Sequence, residues 1–174
     1  MRTKTKIKKI SILMLNFLTK LLALGLFSGK IPKISGTAGS FVAIILSVFF
    51  VKIPILQQIV ILILLTFFGT LSIYRYLKIT KQDGHDPKEV VIDEIVAVLF
   101  ICLLAQYITP ANTMDVRHFV SIFVLFRVFD ISKPYPICVV DKKMKTPIGI
   151  MLDDLLAGLA SWLFYICLFA WFFD

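Results

Sequence analysis

Residues 59–68 read IVILILLTFF, ten positions with one hydroxyl and no charge. A helix on the surface of a soluble domain repeats a polar face about every 3.6 residues, and this run has no such face. It lies inside a longer uncharged stretch, residues 53–74, and residues 34–51, 95–114 and 155–173 share its character. Each approaches the roughly 20 residues that carry a helix across a hydrocarbon core of about 30 Å. The whole chain agrees: 59% of its 174 residues are hydrophobic, 17% are charged and the mean hydropathy is +0.90. A soluble domain carries about a quarter charged residues to cover its outside. The expected fold is therefore all-α: a polytopic integral membrane helical bundle of about five transmembrane spans plus an N-terminal interfacial or re-entrant helix.

The charges set the topology. Spans near 37–53, 55–75, 91–109, 116–130 and 150–172, with the N-terminus inside, put seventeen of the nineteen Lys and Arg residues on one side or at its boundary. That is the cytoplasmic side under the positive-inside tendency. Lys52 and Arg117 are left outside, with only nine residues between Arg117 and Arg127, so the fourth span is short or tilted. Pro54 suits the first turn of the second span, and Trp162, Tyr165 and Trp171 are expected as interfacial anchors at the outer end. Lys20 interrupts the apolar part of residues 10–29, which argues against a signal peptide and for a helix on the inner leaflet. Its basic residues would face anionic lipid and not nucleic acid. The division is a basic tail with an interfacial helix at 1–33 and one transmembrane catalytic domain at 34–174. Cys102, Cys138 and Cys167 have neither ligand nor disulfide spacing and read as apolar filler.

The acidic residues carry the chemistry. Nine of eleven fall in the two inner loops or at the helix ends beside them. Carboxylates at membrane depth are expensive and call for a polar cavity, a counter-charge or a metal. Asp93 and Glu94 open one apolar helix, and Asp153 and Asp154 sit just inside another, about 100° apart, so that only one of the latter two is expected to enter a cavity directly. If the segment after Pro87 is helical, Glu89 or Val90 stacks one turn from Asp93 or Glu94. Hard oxygen donors without a His–Cys set suit Mg²⁺. Arg127, Asp130 and Lys133 recur every three positions along one drifting helical stripe, stopped by Lys133-Pro-Tyr-Pro136. The Ser35-Gly-Thr-Ala-Gly-Ser40 string can form an anion nest at a helix start, or a cap or packing seam. Asp141, in the middle of a Lys-rich loop, reads as solvated. This inventory fits a lipid bearing a phosphate.

Four strings in register resemble the bacterial phosphatidylglycerophosphatase A family: GTAGS at 36–40, DPKEVVIDE at 86–94, FRVFDISKPYPI at 126–137 and GIMLDDLLAG at 149–158. The resemblance implies a Mg²⁺-dependent phosphatase of the bacterial inner membrane. It would remove the terminal phosphate of phosphatidylglycerophosphate in the inner leaflet, giving phosphatidylglycerol. The family's polar positions are matched by Thr37, Ser40, His85, Asp86, Asp93, Glu94, Arg127, Asp130, Lys133, Asp153 and Asp154. On that footing Asp86, Asp93 and Glu94 bind the metal, with Asp130 or Asp153 completing the shell and Asp154 beside them. Arg127 and Lys133 clamp the phosphates, with Thr37, Ser40 and His85 assisting. The nucleophile is a water activated by the ion or one of the carboxylates. Two departures stand near these residues: Ala97 where the family commonly has glycine, and Lys145-Thr-Pro147 where it often has glycines.

Two other classes compete. A CDP-alcohol phosphotransferase also uses clustered aspartates and Mg²⁺, but its Asp-Gly and Ala-Arg pattern is absent, with only Asp83-Gly84 to suggest it. A small non-enzymatic transporter would want charges near mid-membrane and inverted repeats. Here the charges crowd one boundary. The sequence is silent on oligomeric state.

Overall fold

The computed structural model describes residues 2–32, 34–82 and 87–172, with side chains between 9 and 168. Among the described residues there are seven α-helices and no strand. They are α1 (Arg2–Ala23), α2 (Ser35–Phe50), α3 (Ile55–Thr80), α4 (Ile92–Ala105), α5 (Val116–Ser132), α6 (Ile137–Lys143) and α7 (Pro147–Phe172), with a 3-10 turn at Ser28–Lys30.

The core is α4. Every residue of it except Phe100 and Leu104 is buried, because α2, α3, α5 and α7 all pack on it. Small residues bring α4 and α7 together: a Cβ on Gly158 would lie 3.3 Å from the Ala97 carbonyl oxygen. Helices in lipid associate by such close packing, since lipid tails are as apolar as the side chains themselves. Ala97, where the family commonly has glycine, falls in this seam. α1 lies against α3, and its end is tied to the centre by a bond from the Val91 N–H to the Ala23 carbonyl (3.1 Å).

The outside of the bundle is apolar and parts of its inside are polar. On α3, Leu56, Ile63 and Phe67 are 63–73% exposed, whereas Gln58 and Ser72 are buried. Water would drive the opposite arrangement, so the surroundings of α3 are lipid. α3 and the 147–168 part of α7 are long and apolar enough to cross a membrane alone. The chain is a membrane-associated helical protein.

Of about five expected spans, then, two meet the length and apolarity of an independent span. α2, α4 and α5 have 16, 14 and 17 residues, or about 24, 21 and 26 Å at 1.5 Å per residue. Turns consume residues that the apolar count had credited to the spans. Other expectations shift locally. Pro54 caps α3 from one position before its first turn, its carbonyl accepting the N–H groups of Gln57 and Gln58 (2.9 and 3.1 Å). Residues 87–91 are irregular and α4 begins only at Ile92, so Glu89 stacks on no helix; it accepts a hydrogen bond from the Tyr76 hydroxyl (2.8 Å). Tyr165 is buried, 3.3 Å from the Thr109 hydroxyl, and is no interfacial anchor. Trp162 is half-buried, and the Trp171 side chain lies outside the described residues.

Asp115 explains the start of α5. Its carboxylate accepts from the N–H of Arg117 and His118, and His118 Nδ1 accepts from the Asp115 N–H, a reciprocal cap. Arg117, in the first turn of α5, is exposed and paired with Asp115 at 2.7 Å. That hydrogen bonding, from Arg117 first, holds the Asp115 carboxyl down at about 2.

Candidate active site

The first turns of α2 and α4, the second turn of α7 and the C-terminal end of α5 surround a polar cavity of about 250 Å³. Helix N-termini carry unpaired N–H groups and partial positive charge, which favours anions. Thr37, Asp93, Glu94, Arg127, Asp130, Lys133, Asp153 and Asp154 line the cavity together, with Lys88 at its wall. His85 and Asp86 lie outside the described residues.

Arg127 organises one side. Its Nη1 donates to Asp130 Oδ2 (2.7 Å) and stands 3.4 Å from Glu94 Oε1. The i, i+3 spacing of Arg127 and Asp130 on α5 makes the first contact nearly automatic. Glu94 is held a second way, by a 2.7 Å hydrogen bond from the Ser40 hydroxyl. Ser40 itself is fully buried behind the carboxylate, whereas Thr37 faces the cavity. Gly36 permits this approach: a Cβ there would collide with Glu94 Oε1 and lie 3.1 Å from Arg127 Nη1. Arg127 Nε is buried and makes no hydrogen bond among the described residues.

Lys133 organises the other side. It leaves the α5 stripe because it caps that helix in the left-handed region (φ 40). From there Nζ donates to Asp153 (2.6 Å) and Asp141 (2.7 Å). Burial works to lower the Lys133 ammonium, but the bonds to Asp141 and Asp153 outweigh it and its pKa is raised. The Asp141 carboxyl is lowered in turn by the Lys133 hydrogen bond. Asp141 is therefore a partner of the site lysine and not a solvated loop residue. After the Pro134–Pro136 turn α6 packs on α7, and Asp141 follows the buried Ile137 by four residues, on the same face. That spacing was the available signal.

Asp153 and Asp154 are both buried and both line the cavity, although 100° apart on α7, because neighbouring helices enclose that end of α7. Asp154 lies within electrostatic reach of Asp93, Asp130, Glu94 and Asp153. Five carboxylates thus share the cavity with three cations, Lys88, Arg127 and Lys133. Among the described residues no group of three is arranged to hold a metal ion. The donor chemistry nevertheless fits a hard divalent cation: oxygen ligands only, and more negative charge than the cations offset.

A family model for phosphatidylglycerophosphatase A matches residues 21–169. The chain belongs to the phosphatidylglycerophosphatase A family. A phosphatidylglycerophosphatase A of Haemophilus influenzae is 38% identical over 160 residues, 91% of each chain. Its Escherichia coli counterpart is 34% identical over 143 residues, 81% of this chain and 77% of that one. A Bacteroides thetaiotaomicron protein with the provisional name phosphatidylinositol-3-phosphatase is 35% identical over 153 residues, 85% of this chain and 91% of that one. No solved structure matches. Membership makes this a phosphatase-type hydrolase of lipid metabolism, and the cavity is where the four family strings meet.

Proposed function

We propose that the protein hydrolyses the terminal phosphate of phosphatidylglycerophosphate, with Mg²⁺, to give phosphatidylglycerol. The supporting observation is the cavity itself: carboxylates, two oriented cations and a helix N-terminus gathered at one end of a lipid-facing bundle. Phosphate-ester hydrolysis needs its developing charge neutralised and its reacting groups aligned. Arg127 Nη1 is held by Asp130 and Glu94, which fixes the guanidinium at the cavity wall to meet a phosphoryl oxygen. Lys133, fixed between Asp141 and Asp153, presents a charge that stays on throughout the physiological range. The first-turn N–H groups of α2 beside Thr37 offer further donors. Asp93, Glu94, Asp130 and Asp153, with Asp86, are the residues that would hold the ion. When bound, a divalent ion polarises phosphoryl oxygens and acidifies water.

In the same reading α2, α4 and α5 also cross the membrane, their short lengths tolerated inside the bundle, which gives five spans in one catalytic domain. α1 lies along the inner leaflet, facing anionic lipid. The cavity then opens to the cytoplasm of a bacterial inner membrane, on the side that collects the basic clusters.

The test is inorganic phosphate release by the purified protein in mixed micelles. Phosphatidylglycerophosphate should be turned over with Mg²⁺ and not after verified removal of the metal by chelation. Phosphatidylinositol 3-phosphate belongs in the same assay, because the Bacteroides relative matches about as well as the others. Faster release from that lipid would replace the substrate, and a CMP product from nucleotide-activated lipid would replace the reaction class.

A further inference from the structure

A second, larger cavity lies on the other face of α7. It is an apolar groove of about 990 Å³ between α3 and α7, floored by Phe100 and Leu103 of α4. Along α3 it runs from Ile59 to Tyr74, about 22 Å at 1.5 Å per residue. One leaflet of a roughly 30 Å hydrocarbon core is about 15 Å deep, so the groove spans a full leaflet. Its two α3 threonines turn their hydroxyls onto their own helix: Thr66 donates to the Leu62 carbonyl and Thr70 to the Thr66 carbonyl (2.8 and 2.7 Å). Between Ile59 and Leu71 that wall is otherwise apolar.

At the end nearest the catalytic cavity the groove meets a third cavity, of about 330 Å³, and shares Leu71 and Tyr74 with it. Asn16 of α1 and Arg75 and Lys78 of α3 complete that pocket. Lys78 Nζ sits 4.3 Å from the Tyr74 ring centroid. Arg75 and Lys78 form no salt bridge among the described residues, unlike Arg127 and Lys133. A leaflet-deep apolar slot that ends at two cations without an ion pair among the described residues, beside an amide, has the polarity of an anionic phospholipid.

We propose that the α3–α7 groove and the Asn16–Arg75–Lys78 pocket are one binding site for an anionic phospholipid, distinct from the catalytic cavity. An acyl chain fills the groove and the phosphodiester sits between Arg75 and Lys78. Arg75 supplies a fork for its oxygens and Lys78 a point charge. The site rests on the lipid-facing reading of α3 and is independent of the reaction assigned to the other cavity.

The full chain, reconstituted in phosphatidylcholine vesicles with a trace of phosphatidylglycerol bearing a photoreactive acyl chain, tests this by peptide mapping of the label. Label should fall on α3 and α7, and unlabelled phosphatidylglycerol should compete at least fivefold better than phosphatidylcholine. Arg75→Gln with Lys78→Gln should remove that preference. Thr70→Trp, which fills the groove without touching the head pocket, should block labelling, and it decides the matter if the double variant folds poorly. Equal competition by phosphatidylcholine, label confined to α2 and α5, or a second copy cross-linked across the groove would each overturn the proposal. Phosphate release is read separately, so loss of the catalytic reading would leave the labelling result standing.

Discussion

The two ends of the bundle solve the burial of polar groups differently. Where α3 begins and α4 ends, Gln58 and Gln106 face each other. Gln58 Nε2 donates to Gln106 Oε1 (3.1 Å) and Gln106 Nε2 to Gln58 Oε1 (2.7 Å). Gln58 also closes the tight turn below it through the Ile53 carbonyl (2.6 Å). This polarity is neutral and reciprocal. At the opposite end five carboxylates meet three cations, and a buried guanidinium nitrogen has no acceptor among the described residues. A closed pair of amides makes a scaffold. An unbalanced cluster of charges is costly in lipid unless something binds to it, and that imbalance separates site from scaffold.

The largest expected effect is at the charged end. Asp93→Asn and Glu94→Gln keep size and some hydrogen bonding while removing a charge that a divalent ion needs. Each should lower turnover on the order of a hundredfold, about 3 kcal/mol of transition-state stabilisation. Arg127→Lys should also weaken substrate use, since a point charge does not replace a fork held by Asp130 and Glu94, and added Mg²⁺ should not restore it. Steady-state phosphate release beside size-exclusion profiles reads all three. Near-normal rates for both carboxylate variants would move the site elsewhere.

The neutral end should respond in stability and not in chemistry. Gln58→Leu leaves the half-buried Gln106 and the Ile53 carbonyl each short of a partner, which costs about 1–3 kcal/mol. Adding Gln106→Leu should recover the share that came from the amide pair, because removing both partners is close to neutral, while the lost bond to the Ile53 carbonyl stays lost. Detergent-denaturation midpoints measure the loss and the recovery, while turnover per folded molecule stays level. A double variant less stable than the single one would show that the amides do more than satisfy each other.

How much of this could be read beforehand depended on distance along the chain. α3 was legible because a run without a polar face admits few surroundings. The Arg127–Asp130 pair was legible because helical spacing alone brings those residues together. The Ser40–Glu94 bond joins residues 54 apart, and no local pattern encodes it; only the register of the family strings hinted that the two share a site. Only α3 and α7 reach the length of an independent span, because hydropathy does not register where a turn begins, as at residues 106–115. Tyr165 was misplaced for a related reason: an aromatic near a helix end looks like an anchor until its neighbour Thr109 is known. The αL cap at Lys133 hid the Lys133–Asp141 pair, since a single backbone reversal takes the residue off its helical stripe.

That last pair gives the smallest effect and the sharpest test of where the charged end stops. Lys133 and Asp141 are each about three-quarters covered, so the pair is worth about 1 kcal/mol. Asp141→Asn leaves Lys133 drawn to Asp153 alone and shifts the ammonium within the cavity. The expected result is about a fivefold loss in kcat/KM with the fold intact. A pH profile separates positioning from mere stability. The folded Asp141 carboxyl is lowered by Lys133, so its contribution is present above the ordinary carboxylate value near 3.9 and disappears as pH falls through the folded one. In the wild type, therefore, part of the acid loss of stability belongs to this pair, and Asp141→Asn should lower stability by about 1 kcal/mol at neutral pH and flatten the acid limb, the two curves meeting below the folded Asp141 value. The activity loss should be present at neutral pH as well. An unchanged kcat/KM alongside a flattened acid limb would make Asp141 a structural partner only, and the functional boundary would then run between Lys133 and α6.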